Sequence, residues 1–169
     1  DSLYEGTTAI QAQDFFFRKI ARDQGAALSH LVGQIDAFLD LEPASPELAA
    51  ARDLLRTALD DVKAMVATLT GYLIASQQNS RELYRLGLES VRFLLAVGDL
   101  LIGWLLQQQA HIAAADLAAD PSPADRDFYE GKIAAAIFFA TTVLPRLTAD
   151  RNIVDNTDVA LMDVPEGAF

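Results

Sequence analysis

Apolar residues recur at helical spacing along most of the chain, and short polar or proline-containing segments divide it into long predicted helices. The first predicted helix covers residues 8–41, with Gly25 and Gly33 as candidate positions for a bend. The second covers residues 46–77, where Ser45 followed by Pro46 supplies a side-chain cap and a residue suited to a first turn. This spacing predicts helices throughout and no β-sheet.

Two further helices follow the same logic. A pairing of Asn79 with Glu82 resembles a capping box and predicts a third helix that ends near residue 117. Ser122, with Pro123 after it and Asp125 three residues on, predicts a fourth helix over residues 123–147. The remaining residues, 149–169, are expected to form an acidic tail that docks on the body or stays loosely ordered.

The middle of the third helix, residues 93–106, is apolar nearly all round and is predicted to be a central buried helix. It is shorter than the about 20 apolar residues that a membrane span needs, and Asp99 interrupts it. We therefore expect no membrane span. Trp104 is expected in the core, and Asp99 is expected to be a satisfied or cavity-facing carboxylate.

Composition narrows the function classes. Hydrophobic residues make up 51% of the 169 residues and are dominated by Ala and Leu, which favours helix. The formal net charge of −11 would repel a phosphate polymer, so nucleic-acid binding is not expected. Cysteine is absent, which excludes disulfides, a thiolate nucleophile and cysteine metal ligands. His30 has no neighbours in sequence that complete a metal set.

The start of the chain holds the candidate chemistry. Thr7 or Thr8 can cap the first helix, and Gly6 permits a tight turn just before the cap. Glu5 then lies on a short loop at a helix N-terminus, a suitable place for a general base. The alternative is that Glu5 only complements the helix dipole, an effect of at most about 1 kcal/mol.

Two stretches resemble one enzyme family. Tyr4-Glu5-Gly6-Thr7, followed by Ile10-Gln11-Ala12 and Arg18-Lys19, resembles the acyl-CoA dehydrogenases, in the branch with an extra C-terminal helical domain. Phe128-Tyr129-Glu130-Gly131-Lys132, with Phe138-Phe139 and Leu144-Pro145, is similar to the end of that domain. The Tyr129-Glu130-Gly131 run is not a second active site, because it falls inside a predicted helix and lacks the threonine.

The resemblance implies roles for particular residues. Glu5 would remove the α-proton of an acyl-CoA thioester, and its own backbone N–H would donate to the thioester oxygen. Thr7, Gly6 and Thr8 would lie against FAD, whereas Ala9 stands where some relatives have a second polar flavin contact.

The resemblance also assigns the cations of the first helix. Arg18 lies roughly 18 Å from Glu5 if the intervening residues are helical, about the reach from a CoA thioester to its nucleotide end. Arg18, with Asp14 and Lys19 ranked lower, would therefore bind CoA, since arginine is a good bidentate phosphate donor. The alternative is an ordinary surface pair of Asp14 with Arg18, contributing about 0.2–0.5 kcal/mol.

Taken together, the sequence predicts an all-α antiparallel helical bundle with appended helices and an acidic tail. Residues 1–41 would hold the catalytic-base loop and the last helix of a catalytic domain, 42–148 an appended bundle, and 149–169 the tail. The resemblance further implies an FAD-dependent, homo-oligomeric, cytoplasmic enzyme of fatty-acid β-oxidation, with electron-transfer flavoprotein as acceptor. This piece alone is expected to be inactive. The alternatives are a methylmercaptopropionyl-CoA-type dehydrogenase and a non-catalytic helical interaction module.

Overall fold

The computed structural model describes residues 6–168, and over that range it contains helices and turns but no strand. The all-α prediction is therefore confirmed. Glu5 and Tyr4 lie outside the described residues.

The first predicted helix is divided into three parts: helix α1 (Thr8–Asp14), a π-helical segment (Phe15–Ala21) and helix α2 (Ala26–Leu39). The predicted helix over residues 8–41, with a bend near Gly25 or Gly33, is therefore found as helical segments up to Leu39, with an interruption at residues 22–25. The chain breaks where Gln24 and Gly25 take φ values of 57° and 76°, and the Asp23 carboxylate accepts hydrogen bonds from the backbone N–H groups of Gly25 and Ala27. Of the two candidate bends, Gly25 is confirmed, whereas Gly33 lies inside α2.

The π-helical segment begins with three consecutive aromatic residues. Phe15 and Phe16 both lie against Phe93, which belongs to the helix Glu82–Leu117, and their ring centroids are 5.9 and 6.1 Å from that of Phe93. A π-helix has i→i+5 hydrogen bonds, such as Arg22 N to Phe17 O at 3.1 Å, and so holds an extra residue in its turn. Phe16 and Phe93 are fully buried, and each such side chain contributes about 1.5–3 kcal/mol.

Helices α3 (Pro46–Ala75) and α4 (Glu82–Leu117) form the centre of the bundle. They run antiparallel, since Gln107 Nε2 donates to the Ala51 carbonyl oxygen over 2.8 Å and the Arg85 guanidinium lies over the Tyr72 ring. The Ser45 hydroxyl accepts from Leu48 N, which confirms the predicted cap. Helix α4 is continuous, and Trp104 lies in the core, as predicted.

The end of the chain differs from the prediction. Helix α5 (Pro123–Thr142) stops before residue 147, and Pro145 precedes a new helix, α6 (Arg146–Asn156). A proline has no N–H to continue a helix but suits the start of the next one. Residues 149–156 are therefore helical rather than part of a tail, and Val154 is fully buried where its carbonyl oxygen accepts from the Tyr72 hydroxyl at 2.8 Å.

The remaining helices pack on this pair in defined directions. Helix α5 runs antiparallel to α4, and α6 runs parallel to α3. Helix α6 is parallel to α3 because Asp61 of α3 accepts a hydrogen bond from Thr148, whereas Thr68, farther along α3, donates to Asp155. Helix α1 and the π-helical segment run parallel to α4, since Phe17 shares a groove with Leu88 and Ile20 shares one with Leu101.

One segment of the described chain, Pro123–Asn156, is long and apolar enough to cross a membrane by length and composition alone. Its best 18-residue window has a mean hydropathy of 1.3, and 22% of that window is buried. A helix in a protein core can be equally long and apolar. The turn before Arg146 also divides this segment into two helices, α5 and α6. This composition is weak evidence for a membrane span.

Candidate functional site

The N-terminus of α1 is built as a capped turn. Thr7 is the N-cap, in an extended conformation with φ −70° and ψ 154°, and its Oγ1 accepts from the Ile10 N–H over 3.4 Å. Gly6 before it has φ 91°, which a side chain would strain. The prediction that Thr7 or Thr8 caps this helix is thus confirmed for Thr7, and Thr8 is the first, exposed residue of α1.

This turn presents polar groups at its open end. The Thr7 hydroxyl accepts one bond and retains its own proton for donation, and its side chain is exposed. The first N–H groups of a helix have no partner within the helix and carry partial positive charge. Glu5 directly precedes Gly6 in the sequence, although its position lies outside the described residues. A ligand with acceptor atoms would suit this end of α1.

Helix α1 and the π-helical segment follow each other without a gap, and we call residues 8–21 the rod. The candidate cations lie toward the far end of the rod. Arg18 Nη1 donates to Asp14 Oδ1 over 2.9 Å, with 66% and 32% of the two side chains exposed. Lys19 is exposed and lies beside a groove that contains Ile20 and Leu101. Of the α-helical geometry assumed between Glu5 and Arg18, the described residues show only Thr8–Asp14, because Arg18 and Lys19 belong to the π-helical segment.

The structure therefore brings the site residues into two groups rather than one. Gly6, Thr7 and Thr8 lie at the start of α1, and Asp14, Arg18 and Lys19 lie about two helical turns away or farther. An α-helical rise of about 1.5 Å per residue puts Thr7 and Arg18 at most about 16 Å apart. The wider π-turn shortens that distance. Both groups lie on or directly before the rod, which packs on α4 through Phe16.

A groove next to this rod was not identified from the sequence. It has a volume of about 350 Å³ and is lined by Gln13 and Phe17 of the first segment and by Tyr84 and Leu88 of α4, with Met162 at one side. Arg81 Nη2 bonds to Asp163 Oδ1 at 2.5 Å and holds the end of the chain there. The pairing depends on long-range folding of residues 160–163, for which the local sequence gives no signal.

Other titratable candidates are outside this region. Asp99 is half-buried on α4, and partial burial raises the pKa of its carboxyl while nearby Arg146 opposes that rise. His30 is exposed. Within residues 6–168 no three histidine, cysteine or acidic side chains are grouped so that they could hold a metal ion.

The fold defines an all-helical domain, led by a capped turn and built around two long antiparallel helices. A family model described as "Acetyl-CoA dehydrogenase C-terminal like" matches residues 31–165. The chain belongs to this family of C-terminal domains, and the resemblance to the acyl-CoA dehydrogenases is confirmed.

Curated relatives match almost the whole chain. A broad-specificity linear acyl-CoA dehydrogenase, FadE5, of Mycobacterium tuberculosis is 56% identical over 100% of this chain and 28% of its own length. A 3-methylmercaptopropionyl-CoA dehydrogenase of Ruegeria pomeroyi is 34% identical over 95% of this chain and 26% of its own length. A butyryl-CoA dehydrogenase of Syntrophomonas wolfei is 31% identical over 99% of this chain and 27% of its own length. The chain thus spans little more than a quarter of these relatives.

Proposed function

We propose that this chain is the C-terminal part of an FAD-dependent acyl-CoA dehydrogenase that oxidises acyl-CoA to trans-2-enoyl-CoA in fatty-acid β-oxidation. Support comes from the family match and from the 56% identity to a broad-specificity linear acyl-CoA dehydrogenase over the entire chain. The complete enzyme would be a cytoplasmic homo-oligomer that passes electrons to electron-transfer flavoprotein.

The observation that carries the assignment of a site is the capped turn at Gly6 and Thr7. Gly6 takes a left-handed conformation and Thr7 caps the first turn of α1, so the chain enters α1 from Gly6 onward through a defined turn, directly after one residue in the sequence. That residue is Glu5. A general base needs such positioning, because proton transfer depends on holding the base within hydrogen-bond reach of the proton that it removes.

In this function Glu5 takes the α-proton of the bound thioester. The resulting negative charge develops on the thioester oxygen, and the backbone N–H of Glu5 donates a hydrogen bond to that oxygen. A bound FAD would supply the acceptor for the β-hydride. Because a carboxylate is a stronger base when it is desolvated, the acyl-CoA must exclude water from Glu5 when it binds.

The residues at the start of α1 fit a flavin contact. Thr7 retains a hydroxyl proton to donate, Gly6 carries no side chain to obstruct the approach, and Thr8 is exposed beside them. They would hold FAD in place through hydrogen bonds. On the same rod, Arg18 would bind a CoA phosphate, with Asp14 orienting its guanidinium and Lys19 adding positive charge.

The test is the substitution Glu5→Gln in the full-length enzyme. The variant keeps the shape of the side chain and loses the base, so FAD and acyl-CoA should still bind while flavin reduction by substrate falls by orders of magnitude. Glu130→Gln is the matched control, because Glu130 follows a tyrosine and precedes a glycine as Glu5 does but lies exposed within α5. Near-normal flavin reduction by Glu5→Gln would remove the assignment and favour a non-catalytic helical module.

A second candidate substrate is suggested by one relative. The 34% identity to a 3-methylmercaptopropionyl-CoA dehydrogenase spans 95% of the chain, which makes a short sulfur-containing acyl group the alternative to a linear fatty acyl group. Comparison of kcat/KM for linear acyl-CoA substrates and for 3-methylmercaptopropionyl-CoA distinguishes the two. A higher value for the sulfur-containing substrate would favour the alternative.

A further inference from the structure

Helix α4 carries an apolar stripe on the side opposite the core. Its residues follow alternating spacings of three and four from Leu88 to Ile112 and read L-V-L-G-I-L-Q-I. Five bulky members are exposed, with between 43% and 61% of their surface accessible: Leu88, Leu95, Ile102, Leu105 and Ile112. We call this set the outer stripe of α4. It contains no charged residue in a chain of which 22% is charged.

The neighbouring helix shows what a solvent-facing surface looks like in this chain. On α3 the outward positions Asp53, Arg56, Asp60 and Lys63 have the same alternating spacing, and all four are charged and exposed. A helix that is apolar around its whole circumference is buried on all sides in a folded protein. An exposed apolar surface of this extent marks an interaction site. The outer stripe of α4, about 36 Å long by helical rise, therefore has a partner.

The stripe is continuous with the candidate site at one of its two ends. Leu88 lines the groove that also contains Gln13 and Phe17, next to the rod that carries Arg18 and follows Thr7. At the other end, Ile112 lines a second groove with Phe128 of α5, which is also exposed. The Leu88 end is where a flavin- and acyl-binding body must lie if Glu5 and Arg18 have the proposed roles.

We propose that the outer stripe of α4 packs against the rest of the same polypeptide, in a longer protein, as an intramolecular interface between this domain and the catalytic body. This inference rests on the proposed function for the direction of the interface. Two observations select the occupant: continuity with the rod of the candidate site, and relatives in which this domain makes up only 26–28% of the length. The charged face of α3 then points to solvent.

The first experiment is carbene footprinting of the unmodified full-length protein. Side chains of Leu95 and Ile102 should be labelled at least about fivefold less than Ile74, an exposed residue on α3 that serves as an internal control. Labelling of the stripe equal to that of Ile74 would overturn the proposal. Because no residue is substituted, the result does not depend on whether a variant folds.

The second experiment identifies the occupant. Gly98 lies in the middle of the stripe, and a Cβ at this position meets no atom within 4 Å, so Gly98→Cys fits the fold. With native cysteines elsewhere replaced by serine, this thiol carries a photocrosslinker in a mixture of ¹⁴N- and ¹⁵N-labelled protein. Crosslinks within one isotope support the proposal. Crosslinks between isotopes would show that a second copy covers the stripe, which overturns it.

These results separate the interface from the catalytic assignment. Protection of the stripe together with normal flavin reduction by Glu5→Gln would retain the interface and remove the base. Loss of flavin reduction together with a freely labelled stripe would retain the base and remove the interface. Neither footprinting nor crosslinking depends on turnover.

Discussion

Arg151 of α6 pairs with Asp61 of α3, with Nη1 3.3 Å from Oδ1. The two partners differ in exposure: 42% of the Arg151 side chain is accessible, but only 4% of the Asp61 side chain. The Thr148 hydroxyl donates to the other carboxylate oxygen over 2.6 Å. A helix that the sequence pattern did not predict is therefore fixed to the core by a buried carboxylate.

Removal of this arginine should destabilise the fold. Arg151→Ala leaves Asp61 with one hydroxyl donor, so we expect a loss of about 1–3 kcal/mol in the free energy of unfolding. Arg126→Ala is the control, because Arg126 pairs with Asp120, whose side chain is 96% exposed, and should cost less than about 0.5 kcal/mol. Urea denaturation measures both. Equal effects of the two substitutions would show that burial of Asp61 does not strengthen the pair.

Close packing of α4 on the turn between α5 and α6 depends on a glycine. A Cβ on Gly103 would lie 2.9 Å from Leu144 Cδ2 and 3.2 Å from Cδ1, and Leu144 is only 1% exposed. We expect Gly103→Ala to destabilise the protein by about 1–3 kcal/mol through overpacking. Gly71→Ala on α3 meets no atom within 4 Å and should stabilise the helix by about 0.5–1 kcal/mol. Thermal unfolding distinguishes the opposite signs.

The partly buried carboxyl of Asp99 should make the thermal stability of the protein depend on pH. Partial burial raises the pKa of this carboxyl above 3.8, against the opposing attraction of Arg146 and with a contribution from Asp150. A carboxyl with a raised pKa in the folded state favours folding at low pH, and that contribution is lost as pH rises through the folded-state pKa. Asp99→Asn should therefore raise the Tm at pH 7, and the gain should shrink as pH falls toward 3.8. A gain that stays constant with pH would exclude this cause.

The cap at the start of α1 gives a prediction for cofactor binding. Thr7→Ala removes the acceptor for Ile10 N, at about 1 kcal/mol of helix stability, and also removes the proposed flavin contact. We expect weaker FAD retention by the full-length enzyme, measured by flavin loss on dilution. Thr7→Ser keeps the hydroxyl and should retain FAD. If Thr7→Ser loses flavin as readily as Thr7→Ala, the hydroxyl is not the contact.

The elements that sequence reasoning located correctly are those with local signals. Ser45 before Pro46 and Ser122 before Pro123 form the predicted caps because cap geometry depends on residues within one turn. Thr7 caps α1 for the same reason.

The elements that it missed depend on distant contacts. The π-helical segment forms where Phe15 and Phe16 meet Phe93, nearly 80 residues away in the sequence. Helix α6 is polar along most of its length and is held by Asp61 and Tyr72 of α3. The candidate site follows the same division: the capped turn was predictable, but the groove that joins Phe17 to Leu88 and Met162 was not.

The pair of Asp14 with Arg18 gives a prediction for CoA binding. Arg18 is 66% exposed and, within residues 6–168, its guanidinium pairs with Asp14 alone, so it can reach a phosphate without disturbing the core. A hydrogen bond between charged groups contributes about 1.5–3 kcal/mol, and exposure reduces this, so Arg18→Ala should raise the KM for acyl-CoA about tenfold with kcat nearly unchanged. Steady-state kinetics of the full-length enzyme measure both constants.

Three companion variants sharpen this prediction. Asp14→Asn removes the carboxylate that orients the Arg18 guanidinium, so the KM should rise, but by less than in Arg18→Ala. Lys19→Ala should raise the KM less than Arg18→Ala, because an ammonium lacks the bidentate geometry of a guanidinium. Arg126→Ala, which removes one positive charge far from α1, controls for net charge and should leave the KM unchanged.

Since added salt screens exposed charges, the difference in KM between wild type and Arg18→Ala should narrow at 1 M salt. An Arg18→Ala enzyme with wild-type KM at low salt would contradict a phosphate contact and leave Asp14 and Arg18 as a surface pair.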